Sequence, residues 1–292
     1  MSPAVGGAAV EVLAPAKVNL YLHVTGRRPD GYHLLDSLVV FAGIGDGLRL
    51  DPAEGLSLVV DGPNAAPLAA LGDNMVLQAA RRLAEAAGVA AGAAITLTKR
   101  LPVAAGIGGG SADGAAALRG LCRLWRIDPP EAELARIGLS LGADLPVCLR
   151  GSPTLVSGIG DILEPAPALP PAWLVLVNPR VAVATPAVFK NRRGDFSAAL
   201  PLTAPPADAA ALAAALGARR NDLTAAATAL APEVEVMLAA IAATDGCLLA
   251  RMSGSGATCF GLYADDHAAA AAAGRLAAQQ PAWWIAAAPL LR

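Results

Sequence analysis

The stretch Lys99 to Leu118, KRLPVAAGIGGGSADGAAAL, constrains this chain more than any other. Before it, Ile95 and Leu97 alternate with Thr96 and Thr98 as in a strand. After it, Ala115, Leu118, Leu121, Cys122 and Trp125 recur at the spacing of one helix face. Between them lie Gly106, Gly108, Gly109 and Gly110, then Ser111 at the expected N-cap. Strand, glycine loop and helix start together make an anion site, because glycines let the backbone approach a ligand while unpaired N–H groups point at it. A phosphate is the natural guest. The competing reading is a flexible connector, since glycine clusters are often simply turns.

Common glycine signatures do not fit the loop. Gly109 and Gly114 have P-loop spacing, but Ala115 stands where that motif needs lysine, and Ser111 falls where a dinucleotide fingerprint needs its third glycine. Asp113 occupies the last position of a would-be nucleophile elbow. At 292 residues, with 55% hydrophobic and 16% charged residues, the chain can bury two cores and has little scope for disorder. A net charge of −2 argues against a nucleic-acid surface. Cys122, Cys148, Cys247 and Cys259 form no C-x-x-C pair and read as reduced thiols of a cytoplasmic protein. No targeting signal and no membrane span is expected.

In chain order, Val18, Leu20, Leu22 and Val24 alternate with Asn19, Tyr21 and His23, which predicts a strand with one apolar and one polar face. Lys17 sits at its entrance. The turn-rich Gly26-Arg27-Arg28-Pro29-Asp30-Gly31-Tyr32-His33 follows; read blandly, it is a surface turn with Tyr32 folded back on the core. Strands are expected at Leu38–Ala42, Leu48–Asp51 and Leu56–Asp61, then a helix through Met75 to Ala87, capped by Asp73 and closed by Gly88. Further strands are expected at Thr154–Ser157, Ile162–Leu163, Trp173–Val177 and Trp283–Ala287. Helices are expected within Asp208–Leu216, Asn221–Leu230 and Glu233–Ala243 and after Asp265. Strands and helices that mix without strict alternation argue α+β.

Four segments, in order, resemble the galactokinase–homoserine kinase–mevalonate kinase superfamily. Ala14-Pro15-Ala16-Lys17-Val18-Asn19-Leu20 with Pro29-Asp30-Gly31-Tyr32-His33 is similar to the first motif of the member that phosphorylates a cytidylyl-linked polyol. Pro102, Val103, Ala104, Ala105, Gly106, Ile107, Gly108, Gly109, Gly110, Ser111 and Ala112 resemble the superfamily phosphate loop, P-x-x-x-G-[LI]-G-[GS]-[GS]-[SA]. Leu141 to Val147 resembles the acidic catalytic segment, and Arg251 to Phe260 the third motif. The resemblance implies a two-domain kinase fold, divided near residue 157, with ATP and substrate in the cleft between domains.

Phosphoryl transfer needs the phosphates held and neutralised and the attacking hydroxyl aligned and deprotonated. Asp144, in an irregular segment after a helix, can accept the hydroxyl proton, and Lys17 can hold that carboxylate ionised and draw on developing charge. Taken alone, Asp144 reads as a loop cap and Lys17 as a solvated edge charge. By the resemblance, Asn74 and Lys99 lie around the adenosine of ATP. Tyr32 and Phe189 stack on a cytosine whose edge His33 reads, and Asn19 and Thr185 complete the acceptor site. Thr185-Pro186 reads as N-cap and N1 of the short helix carrying Phe189. Mg²⁺ is expected with ATP. Ala112 stands where many members have a second serine, which leaves Ser111 as the only hydroxyl of the loop.

The expected activity is transfer of the γ-phosphoryl of ATP to the 2-hydroxyl of a cytidine diphosphate-linked polyol, on the methylerythritol phosphate route to isoprenoid precursors. Two alternatives stay open: another small-alcohol kinase of the superfamily, homoserine or mevalonate kinase-like, and a non-catalytic nucleotide-binding regulator.

Overall fold

The computed structural model describes residues 8–66, 74–103 and 105–292. Their contacts divide into two units, each built from several chain segments. The first holds the described residues within Met1–Ala16, Gly45–Val103 and Gly108–Arg150; the second holds those within Lys17–Ile44, Ala104–Ile107 and Gly151–Arg292. Two long strands, β1 (Val10–Arg27) and β2 (His33–Asp51), pair with each other and contribute residues to both.

In the first unit the C-terminal half of β2 pairs antiparallel with β4 (Ala93–Thr98), Leu48 opposite Leu97, and β4 pairs parallel with β3 (Leu56–Asp61). Four helices accompany these strands: α1 (Met75–Ala87), α2 (Gly109–Trp125), α3 (Glu131–Leu141) and α4 (Leu145–Arg150). The apolar face read from Ala115, Leu118 and Leu121 is buried, and α2 packs on α1 and α4. Gly88, at φ 63°, closes α1 as expected. The expected cap Asp73 lies outside the described residues; the observed N-cap is Asn74, whose side chain accepts from the Val76 N–H.

In the second unit β5 (Thr154–Gly158) pairs with the N-terminal half of β2 and with β6 (Ile162–Pro165). The C-terminal strand β10 (Trp284–Leu291) pairs with β2 and with β7 (Trp173–Asn178). β7 pairs in turn with β9 (Cys259–Tyr263), and β9 with β8 (Leu249–Met252). The helices are α5 (Thr185–Asn191), α6 (Ala209–Gly217), α7 (Thr224–Leu230), α8 (Glu233–Ala242) and α9 (Asp266–Gln279). Asp208 and Asp265 cap α6 and α9, each accepting a backbone N–H three residues on. Val175, Val177, Leu223, Val234, Met237, Ile241, Met252 and Leu276 form the shared core.

Two expectations are corrected. Leu38–Ala42 and Leu48–Asp51 are one strand: a Cβ at Gly45 would lie 2.1 Å from the Ala14 carbonyl oxygen, so that glycine serves close strand contact and not a turn. And the expected strand Val18–Val24 has no solvated face, since Ala16 to Val24 of β1 are all buried. Its polar residues find partners instead. Asn19 donates to Ser37, Tyr21 to Asp36, and His23 Nε2 accepts the Arg220 N–H. Among the described residues no helix is long and apolar enough to cross a membrane.

Candidate active site

In the first unit the glycine loop ends in a left-handed residue. Gly108 (φ 65°, ψ 20°) is the N-cap of α2, and no side chain caps the helix. Ser111 is therefore not the N-cap but lies in the first turn: the left-handed glycine starts the helix earlier, and Gly108 O accepts the Ala112 N–H at 2.8 Å. The first N–H groups of α2 are left for a ligand, with the positive end of the helix dipole behind them. Gly110 is exposed, with nothing within 4 Å of where its Cβ would be. Ala112 is buried, so a hydroxyl there would face the interior.

Asp144 is exposed at the start of α4, where its carbonyl accepts the Cys148 N–H. A Cβ at Gly142 would lie 4.0 Å from Ser111 Oγ, so this acidic segment runs beside the first turn of α2. Asn74 Oδ1 is engaged in capping α1, at 2.9 Å from the Val76 nitrogen. Lys99 is 3% exposed, its ammonium bonded to the Asp46 and Asp113 carboxylates. Burial alone would lower its pKa, but the two carboxylates outweigh that and hold it above the ordinary lysine value. Burial pushes Asp113 up to about 7, with the Asp46 charge adding to the rise and Lys99 opposing it.

In the second unit Lys17 joins the glycine loop through its backbone, its N–H donating to Ile107 O at 3.0 Å. It is 5% exposed, unlike a solvated edge charge. Ala105 O accepts from both the Thr258 N–H and its hydroxyl, and Asn178 donates to that hydroxyl oxygen. Gly106 (φ 73°) packs so closely that a Cβ would sit 2.2 Å from Gly256 O. The turn from Ser253 to Gly256 is held by Asn221, which donates to the Met252 and Gly254 carbonyls at 2.8 Å each. Arg251, the residue before Met252, is buried and bonds to backbone carbonyls. Its guanidinium donates to the Leu20, Leu216 and Arg219 carbonyls, and burial brings its pKa down to about 10.

The residues expected at the acceptor site belong to this unit as well. Ser253 Oγ accepts the Asn19 N–H, and the Thr185 and Ser255 hydroxyls lie 2.8 Å apart. Asn19 Oδ1 is buried with no hydrogen-bond partner. The cap of α5 is Ala184, one residue before the expected Thr185, because Ala184 is the last extended residue. One turn into α5, Phe189 stacks on His33, ring centres 5.0 Å apart and planes at 27°. Burial, then the Arg27 and Arg192 charges, lower the pKa of His33. Tyr32 is 62% exposed and not folded back on the core. Ala104 lies outside the described residues; Pro102 is buried and Val103 half-buried.

Sequence reasoning missed roles for Asp46, Asp113 and Asn221, and reached Ser253, Ser255 and Thr258 only as members of the third motif. The signal for Asp46 was an acid between two glycines inside an apolar strand pattern, and for Asp113 an acid followed by an unbroken run of buried helix positions.

Family models for the GHMP kinases N terminal domain and the GHMP kinases C terminal match residues 74–152 and 202–282. A 4-diphosphocytidyl-2-C-methyl-D-erythritol kinase of Paramagnetospirillum magneticum is 68% identical over 278 residues, 95% of this chain and 97% of that protein. A crystal structure of a 4-(cytidine 5'-diphospho)-2C-methyl-D-erythritol kinase matches at 37% identity with a TM-score of 0.80, over 96% of this chain and 98% of that one. A homoserine kinase from Cytophaga hutchinsonii matches with a TM-score of 0.73 over 98% of this chain and 96% of that one. At 18% identity that is a likeness of fold alone. With both domain models matched and a relative this similar along nearly its whole length, the chain belongs to the GHMP kinases, in the family of 4-diphosphocytidyl-2-C-methyl-D-erythritol kinases.

Proposed function

We propose that the chain transfers the γ-phosphoryl group of ATP to the 2-hydroxyl of 4-diphosphocytidyl-2-C-methyl-D-erythritol, on the methylerythritol phosphate route to isoprenoid precursors. The observation that carries this reading is the 3.0 Å bond from the Lys17 N–H to Ile107 O, which ties the lysine motif to the glycine loop. The N-terminal domain, residues 1–157, carries the phosphate loop and the catalytic residues; residues 158–292 form the C-terminal domain.

The loop from Pro102 to Ala112 holds the triphosphate through the amides at the start of α2, and Asn74 borders the nucleotide. Asp144 takes the proton of the acceptor hydroxyl as its oxygen bonds to the γ-phosphorus, the bond to the bridging oxygen breaks, and ADP leaves. A positioned base is worth roughly 10²–10⁴-fold. Lys17 neutralises developing negative charge. Asn19 Oδ1, a buried acceptor lacking a donor, suits an acceptor hydroxyl, and Thr185 lies one hydrogen bond from Ser255. Tyr32 and Phe189 stack on the cytosine and His33 reads its edge.

Mg²⁺ supplies charge neutralisation on the phosphates. Among the described residues no group of three or more His, Cys, Asp or Glu could cage a metal. The four cysteines are free thiols, in keeping with the cytoplasm as the working compartment.

An ATP-turnover assay tests the reading. Phosphorylation of the cytidylyl acceptor, with homoserine and mevalonate untouched, is expected. Turnover of either small alcohol instead would favour another kinase of the superfamily, and ATP binding without turnover of any acceptor would favour a regulator.

A further inference from the structure

Beneath the first residue of α2 lies a buried charge cluster drawn from three elements. Asp46 comes from β2, Lys99 from the exit of β4, and Asp113 from the second turn of α2. Their exposures are 0%, 3% and 3%. Lys99 Nζ bonds to Asp46 Oδ2 and, at 2.7 Å, to Asp113 Oδ2. The other Asp46 oxygen accepts the Arg100 and Leu101 N–H groups at 2.6 and 2.9 Å, and so grips the backbone just where it enters the glycine loop. A Cβ at Gly109 would lie 3.6 Å from Lys99 Nζ and 3.9 Å from Asp46 Oδ2. One ammonium therefore joins the entry of the loop to its exit.

This cluster is poorly suited to attracting ATP. Two carboxylates surround one ammonium, so the charge of Lys99 is already committed and fully ionised carboxylates would repel a triphosphate. Nor is stability its evident purpose, because buried ion clusters are commonly matched or bettered by well-packed apolar groups. What four charge-assisted hydrogen bonds between separate chain segments fix is direction.

We propose that Asp46, Lys99 and Asp113 form a positioning clamp that aims the amide N–H groups at the start of α2. Lys99 then acts on ATP through the loop and not by touching the adenosine. The inference rests on the reading of Pro102 to Ala112 as the phosphate loop.

Binding measurements without any acceptor test it. ATP affinity is read by calorimetry and adenosine affinity by ligand-detected NMR, for the wild type, Lys99→Met and Asp113→Asn. Adenosine has no phosphate to meet the amides, so aim does not matter to it. The clamp predicts that both variants lose about tenfold or more in ATP affinity, the size of a lost charged hydrogen bond, while adenosine binding stays within twofold. If Lys99→Met loses adenosine and Asp113→Asn changes neither ligand, Lys99 contacts the nucleoside and the clamp is overturned. Unchanged ATP affinity in both folded variants overturns it too. Lys99→Met strands two buried carboxylates; if it fails to fold, Asp113→Asn, which keeps size and a hydrogen-bonding oxygen, decides the matter alone. Failure of the wild type to phosphorylate the cytidylyl acceptor would count against the proposed activity and leave these binding outcomes readable.

Discussion

In the proposed function, the start of α2 and the face of α5 would serve recognition by opposite means. At Gly108 to Ser111 no side chain is larger than serine's, the polar groups on offer are backbone amides, and the charged residues lie buried underneath. At His33 and Phe189 the side chains are everything: two stacked rings, an exposed tyrosine beside them in sequence, and arginines near enough to act on the imidazole. Amides meet any phosphate alike, so the first arrangement holds without discriminating. Rings and a neutral imidazole distinguish a base. Selectivity among acceptors should therefore reside on α5 and the Tyr32 turn, and substitution should damage the two regions in separable ways.

The largest expected effect belongs to neither. Asp144→Asn should lower turnover by at least about 10² while both substrates bind within a few-fold. Lys17→Met should also lose turnover, and the double variant should be little worse than the poorer single, as for residues acting as one unit. Single-turnover kinetics beside equilibrium binding checks this; near-normal turnover at saturating substrate removes the base from Asp144. Next, Gly108→Val forces a branched residue to φ 65°, at a cost of about 1–3 kcal/mol. ATP affinity should fall about 10–100-fold by calorimetry, with acceptor affinity unmoved. Equal losses for both ligands would break the comparison.

Tyr32→Ala tests the other side. Acceptor affinity should weaken about tenfold, the worth of one base–aromatic stack, with ATP little altered. A loss confined to ATP would reverse the assignment of the two regions. The smallest effect concerns pH. Because burial and the Arg27 and Arg192 charges disfavour the imidazolium, His33 stays neutral below the usual histidine range. The acceptor KM should stay flat as pH falls through about 6.5. It should rise a few-fold only lower down, and His33→Gln should abolish that late rise. A rise centred at the ordinary histidine pKa would show that neither burial nor the two arginines act on His33.

Local rules were legible in the sequence. Asp208, Asp265 and Gly88 bound their helices as expected, because a cap needs only residues three or four positions away. Most of the misses share one cause, a contact made far along the chain. Gly45 falls between two expected strands until Ala14 is found against it, and Asp46 lies 53 positions from Lys99, to which it is bonded. Asn19, Tyr21 and His23 read as a wet face because their partners stand between 15 and 197 residues away. The third motif was legible as a likeness, but the grip of Asn221 on its turn, across 31 and 33 positions, was not. At Ser111 and Thr185 a suitable side chain was present, yet backbone conformation decided the cap.

The alanines of α9 carry one more consequence. That helix packs on β10 and β7 with Ala269, Ala272 and Leu276 as its buried residues. An alanine side chain has no rotamers to freeze, so docking this face costs almost no side-chain entropy, whereas a leucine loses about 0.5–1 kcal/mol on burial. Alanine also removes little apolar area from water, and the two deficits offset each other. A helix of this kind adheres through the closeness of its backbone and not through the size of its side chains. Its hold on the sheet is set by shape, and an added methylene at Ala269 or Ala272 would push the helix away before it could contribute any burial of its own.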